Sequence, residues 1–144
     1  MNKKFIWSIL LASSVLFSSA VFADQAKGLN VLLTAAERQA QMMAMVLSVQ
    51  TMKKHGKQVN IVLCGSAGDL ALSSTKTEAM KPPGKSPTQL LNALLKMGAS
   101  VEICPLYLPA VGKSKADLID GITIASPPVV AGRLLDTDYT NLSY

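Results

Sequence analysis

Cys64 and Cys104 are the only thiols in a chain of 144 residues that has a single histidine, and each closes an apolar, β-branched run, Val59 to Cys64 and Val101 to Cys104. A thiolate takes up sulfur, metal or oxidant, so the first question is whether either residue sits where the anion is favoured. Pro105 follows Cys104, and proline suits the first position of a helix. The spacing therefore predicts Cys104 at the cap of a short helix whose free amides would stabilise a thiolate. The competing reading for both residues is a buried, inert thiol, because cysteine is among the most often buried side chains. A Cys64–Cys104 disulfide is a third, open if their strands are neighbours and closed if another strand lies between them. There is no Cys-x-x-Cys motif of the thioredoxin kind. Lys76, Lys81 and Lys85 lie on a long connection expected over the same end of the sheet. They are weak candidates for attracting an anion or supporting a thiolate, against their reading as solvated lysines.

The remaining reactive side chains form no site of their own. Met42, Met43, Met45 and Met52 with His55 suggest copper ligation, but at helical spacing Met45 and Met52 share a face with Val49, whereas Met43 lies with Ala36, Ala40 and Leu47. Two apolar stripes fit packing against a core and against another subunit, so no metal site is assigned. His55 stands among lysines with no carboxylate to orient it, and no serine triad can be built around it. Gly65 and Gly68 lack the lysine and hydroxyl that close a phosphate loop. No cofactor is expected.

The elements that must position the cysteines follow one grammar of strand, capped helix and glycine stop. Leu29 to Leu33 reads as a strand covered on both faces. Thr34-Ala35-Ala36-Glu37 reads as a capping box opening a helix that runs to His55 and stops at Gly56. Val59 to Cys64 is the second strand, and Gly65 to Gly84 is a connection long enough to be functional. Ser86-Pro87-Thr88-Gln89 is a second capping box, opening a helix through Met97, and Val101 to Cys104 is the third strand. Ser114-Lys115-Ala116-Asp117 resembles a third box heading a short helix that Gly121 ends. Ile122 to Ala125 is a fourth strand, Ser126-Pro127 starts a helix through Leu135, and Thr140 to Tyr144 is a fifth strand. Strands alternating with helices predict an α/β fold, a three-layer α/β/α sandwich with a mainly parallel five-stranded sheet. In such sheets ligands sit beyond the carboxyl ends of the strands, where both cysteines fall.

Residues 1–23 read as a secretory signal peptide: Asn2, Lys3 and Lys4 form a basic start, Phe5 to Phe17 an apolar stretch, and Val21-Phe22-Ala23 a cleavage site. Residues 24–144 are then one domain, periplasmic and free of the membrane after cleavage. Loss of Lys3 and Lys4 lowers the formal charge from +5 to +3, and the remaining basic residues are scattered apart from Lys53, Lys54 and Lys57. Nucleic acid is not an expected partner.

The stretch Leu94-Leu95-Lys96-Met97-Gly98-Ala99-Ser100-Val101-Glu102-Ile103-Cys104-Pro105, with Gly112, Asp117 to Ile122 and the ending Leu134 to Tyr144, resembles the DsrE/DsrF-like family of small α/β proteins associated with sulfur transfer. The resemblance covers nearly all of residues 24–144. It implies homo-oligomers such as trimers or hexamers, a donor or acceptor protein for sulfur, and a cysteine that carries sulfur as a persulfide, placed at Cys104. Cys64 has no counterpart in the resemblance and is kept as a second thiol or disulfide partner. Val111-Gly112 stands where some members have arginine before glycine, and the signal segment separates this chain from cytoplasmic relay partners.

Overall fold

The computed structural model describes residues 26–144; the expected signal peptide and its cleavage point lie outside the described residues. The sheet consists of β1 (Gly28–Leu33), β2 (Gln58–Leu63), β3 (Ser100–Ile103), β4 (Thr123–Ile124) and β5 (Tyr139–Ser143). Every pairing is parallel, in the order β4-β3-β2-β1-β5. The helices are α1 (Arg38–His55), α2 (Pro87–Lys96), the single turn α3 (Tyr107–Ala110) and α4 (Pro127–Leu135).

From β1 to β4 the chain steps in one direction across the sheet, and from β4 it returns to the far side of β1. Crossovers between parallel strands are right-handed, so reversing the direction moves the connecting helix to the opposite face. Accordingly α1 and α2 pack together on one face and α4 lies on the other, which is the expected three-layer sandwich. The two faces are unequal. Val31, Leu33, Val59, Ile61, Leu63, Val101 and Ile103 are buried under Ala44, Met45 and Val49 of α1 and Leu91 and Leu94 of α2. Beneath α4 the sheet presents half-buried Leu32, Val62 and Glu102 with Asn30 and Asn60, and no residue of α4 itself is buried.

Polar groups hold that second face. Asn141, Asn30 and Asn60 stand in register on β5, β1 and β2. Asn60 Nδ2 donates to Asn30 Oδ1 at 2.9 Å, and Asn30 Nδ2 donates to Asn141 Oδ1 at 3.0 Å and to the Arg133 carbonyl at 2.7 Å. Asn141 Nδ2 reaches the Leu134 carbonyl at 2.6 Å. The Arg133 guanidinium pairs with the Glu102 carboxylate.

Several expected element starts differ, each for a tertiary reason. The Thr34 box does not form, because the Thr34 hydroxyl donates to the Tyr144 carbonyl at 2.7 Å and its amide to the same oxygen at 2.9 Å. Thr34 thus continues the β1–β5 ladder, and α1 begins four residues later behind Glu37. The Ser86 box forms as read, with Gln89 N donating to Ser86 Oγ at 3.2 Å and Ser86 N to Gln89 Oε1 at 3.0 Å. At Ser114 the Asp117 carboxylate accepts the Ser114 amide and hydroxyl, but these bonds head only one 3₁₀ turn, Lys115–Asp117. The helix expected directly after Cys104 is displaced: α3 starts at Tyr107 behind Leu106, and Cys104 precedes it in a turn closed by Tyr107 N on the Cys104 carbonyl at 3.0 Å.

Candidate functional site: paired thiols at the carboxyl edge

β2 and β3 end together, with Leu63 opposite Ile103. The ladder continues one residue further, since Cys104 N donates to the Leu63 carbonyl at 2.8 Å and Cys64 N to the Leu33 carbonyl at 2.9 Å. Cys64 and Cys104 therefore occupy one level at the carboxyl edge of two neighbouring central strands. Adjacent strands lie about 4.8 Å apart, inside the Cα separation of about 4.4–6.8 Å that a disulfide spans. Both residues are half-buried free thiols.

The loops beyond the two strands enclose the pair. Cys64 is extended (φ −143°), and Gly65 turns the chain sharply at φ +52°, in the left-handed region that favours glycine, into a 3₁₀ segment, Gly65–Ala71. The helix start expected at Cys104 thus belongs to Cys64. From this segment Asp69 meets Tyr107 of α3, the phenol donating to the carboxylate. The Tyr107 ring lies flat on the backbone of Gly68: a Cβ there would stand 2.4 Å from Tyr107 Cδ2. The resulting open depression of about 510 Å³ is lined by Cys64, Cys104, Ser66, Asp69 and Tyr107, with exposed Leu106 and Val111 at its rim.

Burial pushes the Cys64 thiol above its ordinary range, and its hydrogen bond to Cys104 adds to this, while the Gly65 amide works against it. A hydrogen bond that raises a thiol's pKa is one the thiol donates. Burial and this bond both disfavour the Cys64 thiolate. Burial, with the Asp69 carboxylate as acceptor and negative neighbour, likewise raises the Tyr107 phenol far above its usual range, so it stays a neutral donor. Because burial penalises the thiolate, the alkylation rate of Cys64 should reach half its plateau above about pH 8.5, the midpoint of an ordinary cysteine. Peptide mapping of iodoacetamide labelling against pH checks this; a Cys64 midpoint at or below that pH contradicts the burial argument.

The structure brings the two cysteines together and leaves the lysines elsewhere. Beyond Ala71 the long connection folds back along the helices instead of over the strand ends. Lys76 lines a separate depression of about 900 Å³ with Thr77, Ser86, Thr88 and Asn92, which is larger than the cysteine site but is lined by no thiol. Lys81 and Lys85 are exposed on a turn closed by Met80 N on the Lys85 carbonyl at 2.9 Å, and Met80, Pro82 and Pro83 of that turn line a groove with Met42, Met43 and Val46 of α1. None of the three lysines lines the cysteine depression, contrary to the role expected for them beside the thiolate. Asp69 and Tyr107 were not singled out by the sequence reading. Each lies within five residues of a cysteine on the loop after a central strand, and that placement was the available signal.

The all-parallel five-stranded sheet with helices on both faces is an α/β fold that matches DsrE-like structural neighbours. The solved structure of the YchN protein from E. coli is similar over 82% of this chain and 99% of its own, with a TM-score of 0.70 and 19% identity. The protein of unknown function MTH1491 from Methanobacterium thermoautotrophicum is similar over 81% of this chain and 99% of its own, with a TM-score of 0.60 and 12% identity. Both have the DsrE/DsrF-like fold. No family model and no curated protein matches the chain.

Proposed function

We propose that this chain is a periplasmic DsrE-like protein that carries sulfur as a persulfide on Cys104. The observation that carries the reading is the placement of two free thiols side by side, at the carboxyl edge of a DsrE/DsrF-like sheet, in an open depression. Burial disfavours the Cys64 thiolate, and Cys104 is the cysteine that the DsrE-like resemblance marks for the persulfide, so the proposal places the carried sulfur there. Loading from a hydropersulfide donor needs only exchange: the Cys104 thiolate attacks the donor's outer sulfur, the donor's S–S bond breaks, and the donor thiolate leaves. The periplasmic placement rests on residues 1–23 of the sequence.

The test uses single-thiol chains exposed to sodium tetrasulfide and then alkylated under denaturing conditions. The Cys64→Ser chain should gain about 32 Da per bound sulfur, removed by reductant. The Cys104→Ser chain should gain at least about tenfold less at pH 7. Equal loading of the two chains, or no loading of Cys64→Ser, overturns the assignment to Cys104. Thiols that resist alkylation until denaturation and take up no sulfur would instead favour a structural module with buried or bridged cysteines.

Assembly into a trimer or hexamer is part of the proposal. Met43 and Leu47, one helical turn apart on the outer side of α1, are 49% and 38% exposed, while Met45 and Val49 of the same helix are buried. An apolar stripe on the outer side of a helix fits subunit packing. Light scattering should give a trimeric or hexameric mass, and Met43→Lys with Leu47→Lys should dissociate it. A monomeric native chain, or an assembly unchanged by both lysines, refutes this part.

A further inference from the structure

We infer that the paired thiols end the carrier cycle by chemistry of their own: Cys64 displaces the sulfur held on Cys104 as hydrosulfide, leaving a Cys64–Cys104 disulfide. This rests on the reading of Cys104 as the persulfide site and adds an activity to it, reductive release of sulfide. The argument is one of placement. A cysteine that only carries sulfur needs no second thiol, and a second thiol in reach limits how long a persulfide survives. Here the two cysteines stand at one level on adjacent strands, each extending the Leu63–Ile103 register by one residue, and both line one depression. Strand spacing alone sets their Cα atoms within disulfide range.

The step balances. Cys64, as thiolate, attacks Sγ of Cys104, and the bond between that Sγ and the carried sulfur breaks. The carried sulfur leaves with the bond's electron pair as hydrosulfide and takes up a proton. One Sγ–Sγ bond forms, so the two thiols together supply the two electrons that reduce sulfane sulfur to sulfide. An external dithiol returns the disulfide to two thiols by exchange and is the co-reactant of each further cycle. Burial lowers the thiolate fraction of Cys64 and so slows its attack on the persulfide.

The test exposes the native chain and the Cys64→Ser and Cys64→Ala chains to sodium tetrasulfide without oxygen or added thiol, trapping free sulfide with a bimane and taking intact masses after alkylation. The native chain should release about one sulfide per protomer, lose about 2 Da and resist alkylation until dithiothreitol is added. Both Cys64 variants should keep the added sulfur and release at least about tenfold less sulfide. Native protein that holds its persulfide with both thiols otherwise free, or Cys64 variants that release sulfide as fast as the native chain, overturns the inference while the carrier reading stands. Failure of the Cys64 variants to load, with unchanged thermal melts, removes the carrier reading and this step together.

Discussion

Replacing Gly68 with alanine is expected to unseat Tyr107 and cost about 2–3 kcal/mol of stability, the upper part of the range for overpacking a filled site. The added Cβ would lie 2.4, 2.5 and 2.6 Å from Tyr107 Cδ2, Cε2 and Cγ. Cγ is next to the backbone, so the ring cannot swing clear by moving its far end alone. Tyr107 is also only 7% exposed and held at its hydroxyl by Asp69, which leaves rotation little room. Gly68 is not among the glycines with positive φ, so alanine meets no backbone penalty there and the whole cost is the collision with the ring. That separation makes a double-mutant cycle decisive. Tyr107→Ala alone should cost about 3 kcal/mol through lost burial, and adding Gly68→Ala to it should cost nothing further, since alanine also restricts the unfolded chain. Urea unfolding of the four proteins should therefore show coupling of about 2 kcal/mol between positions 68 and 107. Additive costs would mean that the ring and the glycine do not share this space. Displacing the ring also opens the depression, so both cysteines should alkylate faster in Gly68→Ala than in the native chain.

Much of this arrangement is legible in the sequence, and the parts that are not share one cause. The Ser86 capping box closes on itself within four residues, so local chemistry decides it. The Thr34 box has the same residue pattern but competes with the Tyr144 carbonyl, a partner 110 residues away that no local pattern reveals. The ends of β2 and β3 were readable from their apolar runs, which placed Cys64 and Cys104 on the carboxyl edge. Their adjacency was not, because strand order is set by the packing of helices on opposite faces and the sequence states no pairing between β2 and β3. The lysines were misplaced for a related reason. Length alone predicts a connection that arches over the strand ends, whereas Arg38 Nη1 holds Glu78 at 2.9 Å and Thr77 bonds Thr88, laying the connection along α1 and α2. Asp69 and Tyr107 needed the same missing fact. Once β2 and β3 are neighbours, the loops following them must face each other, and their polar residues become candidates for the site.

The opposite face of the sheet yields the second large effect. Glu102→Ala is expected to cost about 2 kcal/mol, with the loss expressed first as loosening of α4 and β5. Breaking a fully buried ion pair costs about 3–5 kcal/mol because one charge is left stranded. Here the Glu102 and Arg133 side chains are 14% and 23% exposed, so the freed guanidinium recovers part of its hydration and the expected figure is correspondingly smaller. The location of the damage follows from the asymmetry of the layers. α1 and α2 are anchored by large apolar side chains, whereas α4 buries none of its residues and is held by the Glu102–Arg133 pair and by bonds from Asn30 and Asn141 to its last-turn carbonyls. Without the pair, amide exchange should accelerate in residues 127–143 while α1 and α2 keep their protection. A double replacement, Glu102→Leu with Arg133→Leu, should recover most of the stability, since two apolar side chains strand no charge. The comparison separates two roles for the pair. If the double variant is as unstable as Glu102→Ala, the loss lies in the pair's own attraction and not in a stranded charge; if exchange instead rises equally over the whole chain, the ion pair is no local clasp, and the asparagine ladder must be what seats α4 on the sheet.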